Sequence, residues 1–509
     1  MASDDQSAAF ELLADPATHG GAKVTRIDTH AACVFLAGAY AFKVKLAVKF
    51  PFLDFSTLDK RKAVLEAEIT ANKPFAPRLY LGLVPITRDN GKLTLGGKGT
   101  PVEWALKMRR FDETQTFDHL APTGRIDRAL SEELAVAVAD AHARAPIADV
   151  EPWLNVLSDT MRQDAEDFAA HPDLFARADA DKLTAATRAA LQRLRPLLLA
   201  RGAAGLVRRG HGDLHLGNIA LIDDKPVPFD ALEFDPVMAS GDVFYDLAFL
   251  LMDLVDRKLD AAANTVLNVY LAKHARDDDA EALAALPLFM SLRAAIRAKV
   301  TAAKLPHAKP AKRDAIAADA RTYFALACGL IAPPPPVLIA VGGLSGTGKS
   351  VLARMLAPFV LPQPGALVLR SDVERKRLFG VAETERLPET AYAPDATERT
   401  YAVLAERARR ALAAGHSVVV DAVFARAEER AAIADMARTN QFAFHGLFLT
   451  ADLETRIARV GGRIADPSDA GAAVVRAQEN YDLGDLTWMK VDASGTPEQT
   501  LAKARAALA

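Results

Sequence analysis

The sequence predicts two unlike domains in tandem: an α+β domain of two lobes, then an α/β domain built on a five-stranded parallel sheet. Three observations carry this. The chain has 509 residues, more than one hydrophobic core usually supports. Four successive prolines, Pro333 to Pro336, interrupt it. Such a run cannot donate backbone hydrogen bonds and favours stiff polyproline II, so it reads as a spacer. Before it, strand-like stretches give way to long helical ones. After it, Val337–Val341 is a continuous apolar run, as in a buried parallel strand. The expected boundaries are residues 1–330 for the first domain, 331–336 for the linker and 337–509 for the second.

Composition bounds the function classes. Half the residues are hydrophobic and a quarter are charged, the balance of a soluble globular protein rather than a disordered or collagenous chain. The formal net charge of −3 gives no global field to attract nucleic acid. Two cysteines, Cys33 and Cys328, are too few for a disulfide framework and fit a reducing compartment. The acidic N-terminus has no apolar signal core, and Asp246 and Asp253 bound the apolar run 247–252, far short of the roughly 20 residues a membrane helix needs. The expectation is a cytoplasmic protein, bacterial from its alanine and arginine richness, with no membrane association and no protein partner implied.

In the first domain, strand-like stretches occur at Cys33–Leu36, Ala41–Val44, Tyr80–Pro85, Lys92–Leu95 and Val102–Met108, broken by one helical segment, Asp59–Lys73. This places an N-lobe at about 1–108. The C-lobe, about 109–330, is mostly helical except for a strand-and-turn region at 206–235.

That region carries chemistry. His211-Gly212-Asp213-Leu214-His215-Leu216-Gly217-Asn218 is followed by the strand Ile219–Ile222, a polar turn and a strand ending in Asp230. The hairpin returns Asp230 to the loop that bears Asp213 and Asn218. Phosphoryl transfer needs a carboxylate to orient the attacking hydroxyl and oxygen ligands for magnesium on the triphosphate. Asp213 and Asn218 have the D-x-x-x-x-N spacing of a kinase catalytic loop. His211 and His215, four apart, are a conceivable zinc pair, but Gly212 and Gly217 disfavour the helix it would need.

HGDLHLGN followed by FDALEFDP resembles the aminoglycoside phosphotransferase family, a protein-kinase-like fold that carries HGD where protein kinases carry HRD. The resemblance implies that Asp213 is the catalytic base, that Asn218 and Asp230 bind Mg2+, and that Asp246 is structural. Ala41-Phe42-Lys43 resembles the A-x-K strand that grips the phosphates, which assigns Lys43, with Lys45 on the same side of the strand as the alternative. Its partner acid should face the core from the next helix: Glu68 falls among Val64, Leu65 and Ile69, whereas Glu66 lies on the wetter side. Met108, at the end of the last strand, would meet the purine of ATP at the hinge. No glycine-rich loop precedes Lys43, a departure from protein kinases.

In the second domain, Gly343-Leu344-Ser345-Gly346-Thr347-Gly348-Lys349-Ser350 is a complete G-x-x-x-x-G-K-S between an apolar strand and an amphipathic helix, the context a P-loop demands. Gly343, Ser345, Gly346, Thr347 and Gly348 would cradle phosphates with backbone N–H groups at a helix N-terminus. Lys349 would reach the β- and γ-phosphates, and Ser350 would ligate magnesium. Leu367–Leu369 reads as a strand leading into Arg370-Ser371-Asp372-Val373-Glu374-Arg375, and Ser417–Val420 as one ending in Asp421. Asp372 emerges at a strand's C-terminal end, where open α/β sheets place ligands, though a helix cap is the competing role. Arg456, Arg459 and Arg463 share one helical face after the strand Gly446–Leu449; they form either a lid over the phosphoryl group or a solvated face.

This domain resembles P-loop kinases of the polynucleotide kinase, gluconate kinase and zeta-toxin type. The D-x-x-R of Asp372 and Arg375 looks like the general base and substrate-binding arginine of polynucleotide 5′-kinases. VVVDAVF resembles the strand-end aspartate segment of that group, which assigns Asp421 with Arg375 and the three arginines to the substrate or lid side, and it lacks the adjacent glutamate of AAA-type motor ATPases. Together the two resemblances match a fused bacterial architecture, the bifunctional aminoglycoside phosphotransferase/ATP-binding protein. The expected function is a bifunctional ATP- and Mg2+-dependent phosphotransferase acting on hydroxyl groups. The acceptor is a small molecule or a 5′-hydroxyl nucleic acid. The alternative makes one domain a nucleotide-binding sensor that regulates the other.

Overall fold

The computed structural model describes residues 5–29, 31–50, 53–233, 235–274, 276, 279–462 and 467–508. The chain divides into two compact units, residues 1–166 with 195–253, and residues 167–194 with 254–509. The second unit therefore includes the proline run and the helices that precede it.

The first unit opens with helix α1 (Ser7–Ala14) and strands β1 (Val24–Asp28), β2 (Ala32–Ala37) and β3 (Tyr40–Lys45). A short hairpin, β4 (Lys49–Phe50) and β5 (Leu53–Asp54), leads to helix α2 (Leu58–Asn72). Strands β6 (Tyr80–Asp89), β7 (Lys92–Leu95) and β8 (Thr100–Arg109) complete an antiparallel six-stranded sheet of order β1-β2-β3-β8-β6-β7. Its segments are those the sequence marks, apart from β1, whose alternation of half-buried and exposed residues carries no apolar stripe. One face of the sheet packs Phe35, Phe42, Val44, Ile86 and Ala105 against Ala9 and Leu13 of α1. Because side chains alternate along a strand, Lys43 and Lys45 project from the other face. Helix α2 lies there, capped by the Thr57 hydroxyl, which accepts from the Lys60 N–H.

Helices α3 (Phe117–Leu120) and α4 (Arg128–Arg144) follow, then α5 (Val150–Ala170) and α6 (Arg177–Ala203). The Asp127 side chain caps α4. Strand β9 (Val207–Arg209) pairs with β12 (Ser240–Asp242), and between them β10 (Ile219–Ile222) and β11 (Lys225–Pro228) form a hairpin. A buried Arg201–Asp242 pair, with contacts of 2.6 and 2.9 Å, ties α6 to β12. The next helix, α7 (Val243–Asp256), carries Asp246 and Asp253 toward the loop before β10.

The second unit contains α8 (Asp260–His274), α9 (Asp279–Ala282), α10 (Leu286–Ala302) and α11 (Pro310–Ile331). Its sheet comprises β13 (Val337–Gly343), β14 (Leu367–Arg370), β15 (Val418–Asp421), β16 (Ala443–Thr450) and β17 (Met489–Asp492). The order is β14-β15-β13-β16-β17 with every pairing parallel. Connecting helices are α12 (Lys349–Leu356), α13 (Ser371–Leu378), α14 (Pro394–Ala413), α15 (Ala427–Thr439), α16 (Leu453–Gly461), α17 (Ala472–Ala477) and α18 (Pro497–Leu508). Leu352 and Leu356 of α12 and Ala504 of α18 pack on Ile339, Val341, Val419, Leu447 and Val491 of the sheet.

The edge strand β14 is covered by α8. Asn264 Nδ2 donates to Ala366 O at 2.9 Å, and Asn268 Oδ1 accepts from Val368 N–H at 2.8 Å. These amides complete backbone groups that an edge strand otherwise leaves open. Glu281 pairs both its oxygens with Arg410 of α14, at 2.5 and 2.6 Å.

Candidate active sites

The site in the first unit grows from β3 and α2. Glu68 is fully buried and takes Lys43 Nζ and Lys45 Nζ on separate oxygens, each at 2.8 Å. Lys43 also reaches Asp230 at 3.3 Å, and Lys45 reaches Glu233 at 2.7 Å. Burial works against a charged Lys43, but Glu68 and Asp230 outweigh it and hold its pKa well above the usual lysine value. Burial likewise opposes an ionised Glu68, and the two lysines overcome it and lower the pKa. Glu68 rather than the exposed Glu66 faces the sheet. Both lysines are engaged, and Lys43 is the one that also faces Asp230.

Asp230 adopts a left-handed backbone with φ of 60°, a conformation aspartate tolerates better than most residues. Its neighbours fix it there. Asp230 N–H donates to Tyr80 Oη at 3.0 Å, and Ala231 N–H donates to Asn72 Oδ1 at 2.9 Å. Asn72 in turn donates to Glu68 O at 2.9 Å. Tyr80, Asn72 and Glu233 are site residues that the sequence reading missed. Only Asn72 left a trace, lying one helical turn beyond Glu68.

The loop before β10 is anchored by Asp246, whose carboxylate accepts from His211 N–H at 2.7 Å and Gly212 N–H at 2.9 Å. Gly212 has φ of +80°, and an added Cβ would press on Leu232 and Ala239. His211 Nε2 donates to Phe229 O at 2.8 Å, Leu232 N–H to His211 O at 2.8 Å, and Phe229 N–H to Asn218 O at 2.9 Å. Burial lowers the His211 pKa against the pull of Asp246, so the ring serves as a neutral strut. These three bonds lace the loop to the segment after β11 that carries Asp230. Asn218 Nδ2 donates to Asp213 Oδ2 and to Asp213 O, both at 3.0 Å, which leaves its amide oxygen for a cation. His215 accepts from Gly217 N–H through Nδ1 and lies 3.4 Å from Asp213 through Nε2. The two histidines thus serve separate partners. Among the described residues no group of three or more His, Cys, Asp or Glu side chains could hold a metal ion. Met108 is half-buried and lies opposite Ala41 and Tyr80 in the sheet.

The second site is built on β13 and α12. Gly343 ends the strand with φ of +139°, where a Cβ would stand 2.7 Å from Leu449 O, so only glycine fits. Gly346 and Gly348 have φ of +86° and +92°, and Gly348 is the N-cap of α12. Ser345 N–H is held by Gln478 Oε1 at 2.7 Å, Thr347 Oγ1 donates to Leu344 O at 2.8 Å, and Lys349 Nζ donates to Leu344 O at 3.2 Å.

Arg456 and Arg459 brace this loop through its carbonyls, and Arg459 also lines the cavity the loop opens onto. Arg456 is buried, donates to Ser345 O at 2.9 Å and pairs with Glu479. Arg459 donates to Thr347 O at 3.4 Å and to Gly495 O at 2.9 Å. A lid or a solvated face does not describe Arg456. The loop's inward carbonyls need donors, and a buried arginine supplies them. Arg463 lies outside the described residues.

Asp372 is the second residue of α13, and it lines a cavity of about 1130 Å³ together with Lys349, Ser350, Asp421 and Arg375. Burial and the neighbouring Asp421 raise its pKa, while Lys349, Arg370 and a hydrogen bond from Ser468 pull the other way. It is not a cap turned away from the loop; Arg370 holds the N-cap position of α13. Arg375 is buried, donates to Ala391 O at 2.6 Å, and lies over the Tyr392 ring at 5.0 Å. Asp421 accepts from Arg370 Nε at 3.2 Å, and Arg370 Nη2 donates to Ser350 Oγ at 3.1 Å. Asp421 therefore stands on the Ser350 side of the cavity rather than at a lid. The sequence reading passed over Arg370, Tyr392 and Ser468.

Both folds resemble kinase folds: an antiparallel-sheet lobe with a lysine–glutamate pair and a loop carrying Asp213 and Asn218, and a P-loop on an all-parallel sheet. Residues 338–481 match the family model AAA_33, described as an AAA domain. Across 492 residues the chain is 28% identical to an uncharacterized protein of Mycobacterium tuberculosis strain H37Rv, covering 94% of both chains. A gluconokinase from Sinorhizobium meliloti 1021 aligns over 34% of this chain and 92% of its own, with 21% identity and a TM-score of 0.26. A choline/ethanolamine kinase family protein from Mesorhizobium loti aligns over 64% of this chain and 98% of its own, with 14% identity and a TM-score of 0.35. No helix among the described residues is long and apolar enough to cross a membrane.

Proposed function

We propose that the chain is a bifunctional ATP-dependent phosphotransferase, with a kinase-like domain in residues 1–330, a proline linker at 331–336 and a P-loop kinase domain in 337–509. The observation that carries this reading is the presence of two separate constellations, each with a cationic phosphate grip and an acid on the acceptor side. In one, Lys43 is held by Glu68 beside Asp230, and Asp213 is braced by Asn218. In the other, Lys349 and Ser350 share a cavity with Asp372.

At the first site Lys43 grips the triphosphate and Asp213 orients the acceptor hydroxyl and takes its proton as the oxygen bonds to the γ-phosphorus, while the bond from the γ-phosphorus to the β,γ-bridging oxygen breaks and ADP leaves. At the second, the N–H groups around Gly346 and Gly348 and Lys349 hold the phosphates, and Asp372 orients the acceptor hydroxyl. Its raised pKa suits an acid that gains a proton during transfer. Arg375 lines the acceptor wall, held by Ala391 O and stacked over the Tyr392 ring. Asn218 and Asp230 would hold magnesium at the first site, and Ser350 and Asp421 at the second; these are hard oxygen donors of the kind the ion takes. When bound, magnesium neutralises the phosphate charge.

The acceptors are hydroxyl compounds, small molecules or a 5′-hydroxyl nucleic acid. The test is transfer of label from γ-labelled ATP to a panel of hydroxylated metabolites, antibiotics and 5′-hydroxyl oligonucleotides, using the full chain and its Asp213→Asn and Asp372→Asn variants. Each variant should remove labelling of a different acceptor class. Loss of all labelling in either single variant would refute two independent transfer sites.

A further inference from the structure

Arg370 ends β14, and its registered neighbour across the parallel pairing is Asp421, the last residue of β15. Registered partners project from the same face of a sheet, so the two side chains emerge together at the strands' C-terminal end. The next strand in the sheet, β13, feeds the loop that places Ser350 in the first turn of α12. The guanidinium spans the gap. Nε lies 3.2 Å from Asp421 Oδ2, and Nη2 lies 3.1 Å from Ser350 Oγ. Both side chains of the ion pair are largely buried, at 11% and 5% exposure, and Arg370 also acts electrostatically on Asp372. One cation therefore serves two carboxylates and the P-loop hydroxyl.

Ser350 Oγ and Asp421 Oδ2 are also the oxygens that a divalent ion on the bound nucleotide would use. Magnesium binds such oxygens at about 2.0–2.1 Å in near-octahedral geometry. A guanidinium carries donors only. It cannot share those oxygens with an adjacent like charge in a partly buried site without strong repulsion. We infer that Arg370 is a resident cation holding the metal position of the P-loop site, which a divalent ion entering with nucleotide must displace. The inference rests on the reading of this site as a magnesium–nucleotide site. The exchange raises the local charge by one, a divalent ion replacing a monovalent one between two acids, and the incoming phosphates bring the negative charge that offsets it. It also makes divalent binding without nucleotide unfavourable, because the phosphates then supply none of the compensating ligands. Arg370 acts through Ser350 and Asp421 and is a positioning residue.

The test is Mn2+ binding to the full chain without nucleotide, read from the free-ion electron paramagnetic resonance signal. Arg370→Gln should bind Mn2+ at least fivefold more tightly than wild type, and Arg370→Gln combined with Asp421→Asn should lose the gain. Equal Mn2+ affinity in wild type and Arg370→Gln overturns the inference. A wild-type readout guards against a variant that does not fold. The Arg370 Nε–H proton, protected by Asp421, should exchange at least tenfold faster once Mg2+ and a nonhydrolysable ATP analogue saturate the chain. Unchanged protection overturns the inference as well. The underlying reading fails separately, if nucleotide binding proves indifferent to Lys349→Ala.

Discussion

Replacing Glu68 by glutamine tests the centre of the first site, because one carboxylate there neutralises two lysines. Removing one partner of a buried ion pair typically costs about 3–5 kcal/mol. Lys43 keeps Asp230 at 3.3 Å and Lys45 keeps Glu233 at 2.7 Å, so each ammonium retains a counter-ion, and the glutamine oxygen can still accept. The expected loss is therefore at the lower end, about 3 kcal/mol, which lowers the melting temperature of a unit this size by roughly 6–12 °C. Denaturant unfolding of the full chain is the assay. Trp104 and Trp153 report the first unit and Trp488 the second, so the shift should appear in the first signal alone. The folded pKa of Glu68 is depressed. Its stabilisation is thus complete above the unfolded glutamate value of 4.5 and is lost as pH falls through the folded one. Wild type and Glu68→Gln should converge on acidification. Glu66→Gln, at an exposed position paired with Lys62, should change stability by less than about 0.5 kcal/mol. Equal effects of the two substitutions would refute the placement of Glu68 at the centre of the site.

Asp213→Asn should reduce transfer at the first site by about 10²–10⁴-fold while leaving nucleotide affinity and melting temperature unchanged, because the half-exposed carboxylate is replaced by an isostere; initial rates and calorimetry decide. Asp372 has a raised folded pKa, so its ionised form is penalised above the unfolded aspartate value and most fully above the folded one. Asp372→Asn should then stabilise the second unit at pH 7.5 and at the same time lower acceptor-dependent turnover; a destabilised variant contradicts the burial argument. His416 is buried and its pKa falls from 6.5 to about 4, burial outweighing a hydrogen bond to the Gly365 backbone. The unfolded chain binds this proton first, so the second unit should lose about 3 kcal/mol between pH 6.5 and pH 4, at about 1.36 kcal/mol per pH unit. His416→Gln should flatten that limb of the stability profile.

Much of both sites was legible because it is local. The P-loop declares itself through glycine spacing between an apolar run and an amphipathic helix, and the structure places strand, loop and helix there. Period-two alternation put Lys43 and Lys45 on one face, and helical spacing separated Glu68 from Glu66; Glu68 is buried and Glu66 exposed. What escaped depends on register between distant segments. Nothing near Arg370 in sequence announces Asp421, 51 positions away. The arginine face of α16 looks like solvated surface until the P-loop carbonyls that Arg456 satisfies are in place. Asn264 and Asn268 read as polar positions in an alanine-rich helix, yet they finish the edge of the parallel sheet. For that reason the packing of the second unit extends across the prolines. The fifth strand, Met489–Asp492, has a single fully buried residue and no long apolar run to mark it.

The central claim is that one chain carries two nucleotide sites that work separately. Equilibrium dialysis of the full chain against a labelled nonhydrolysable ATP analogue with Mg2+ tests it directly. The account predicts two bound nucleotides per wild-type chain, one in Lys349→Ala and one in Lys43→Ala, with the remaining site unaltered in affinity. A single bound nucleotide in the folded wild type, or loss of both sites in either variant, would contradict it.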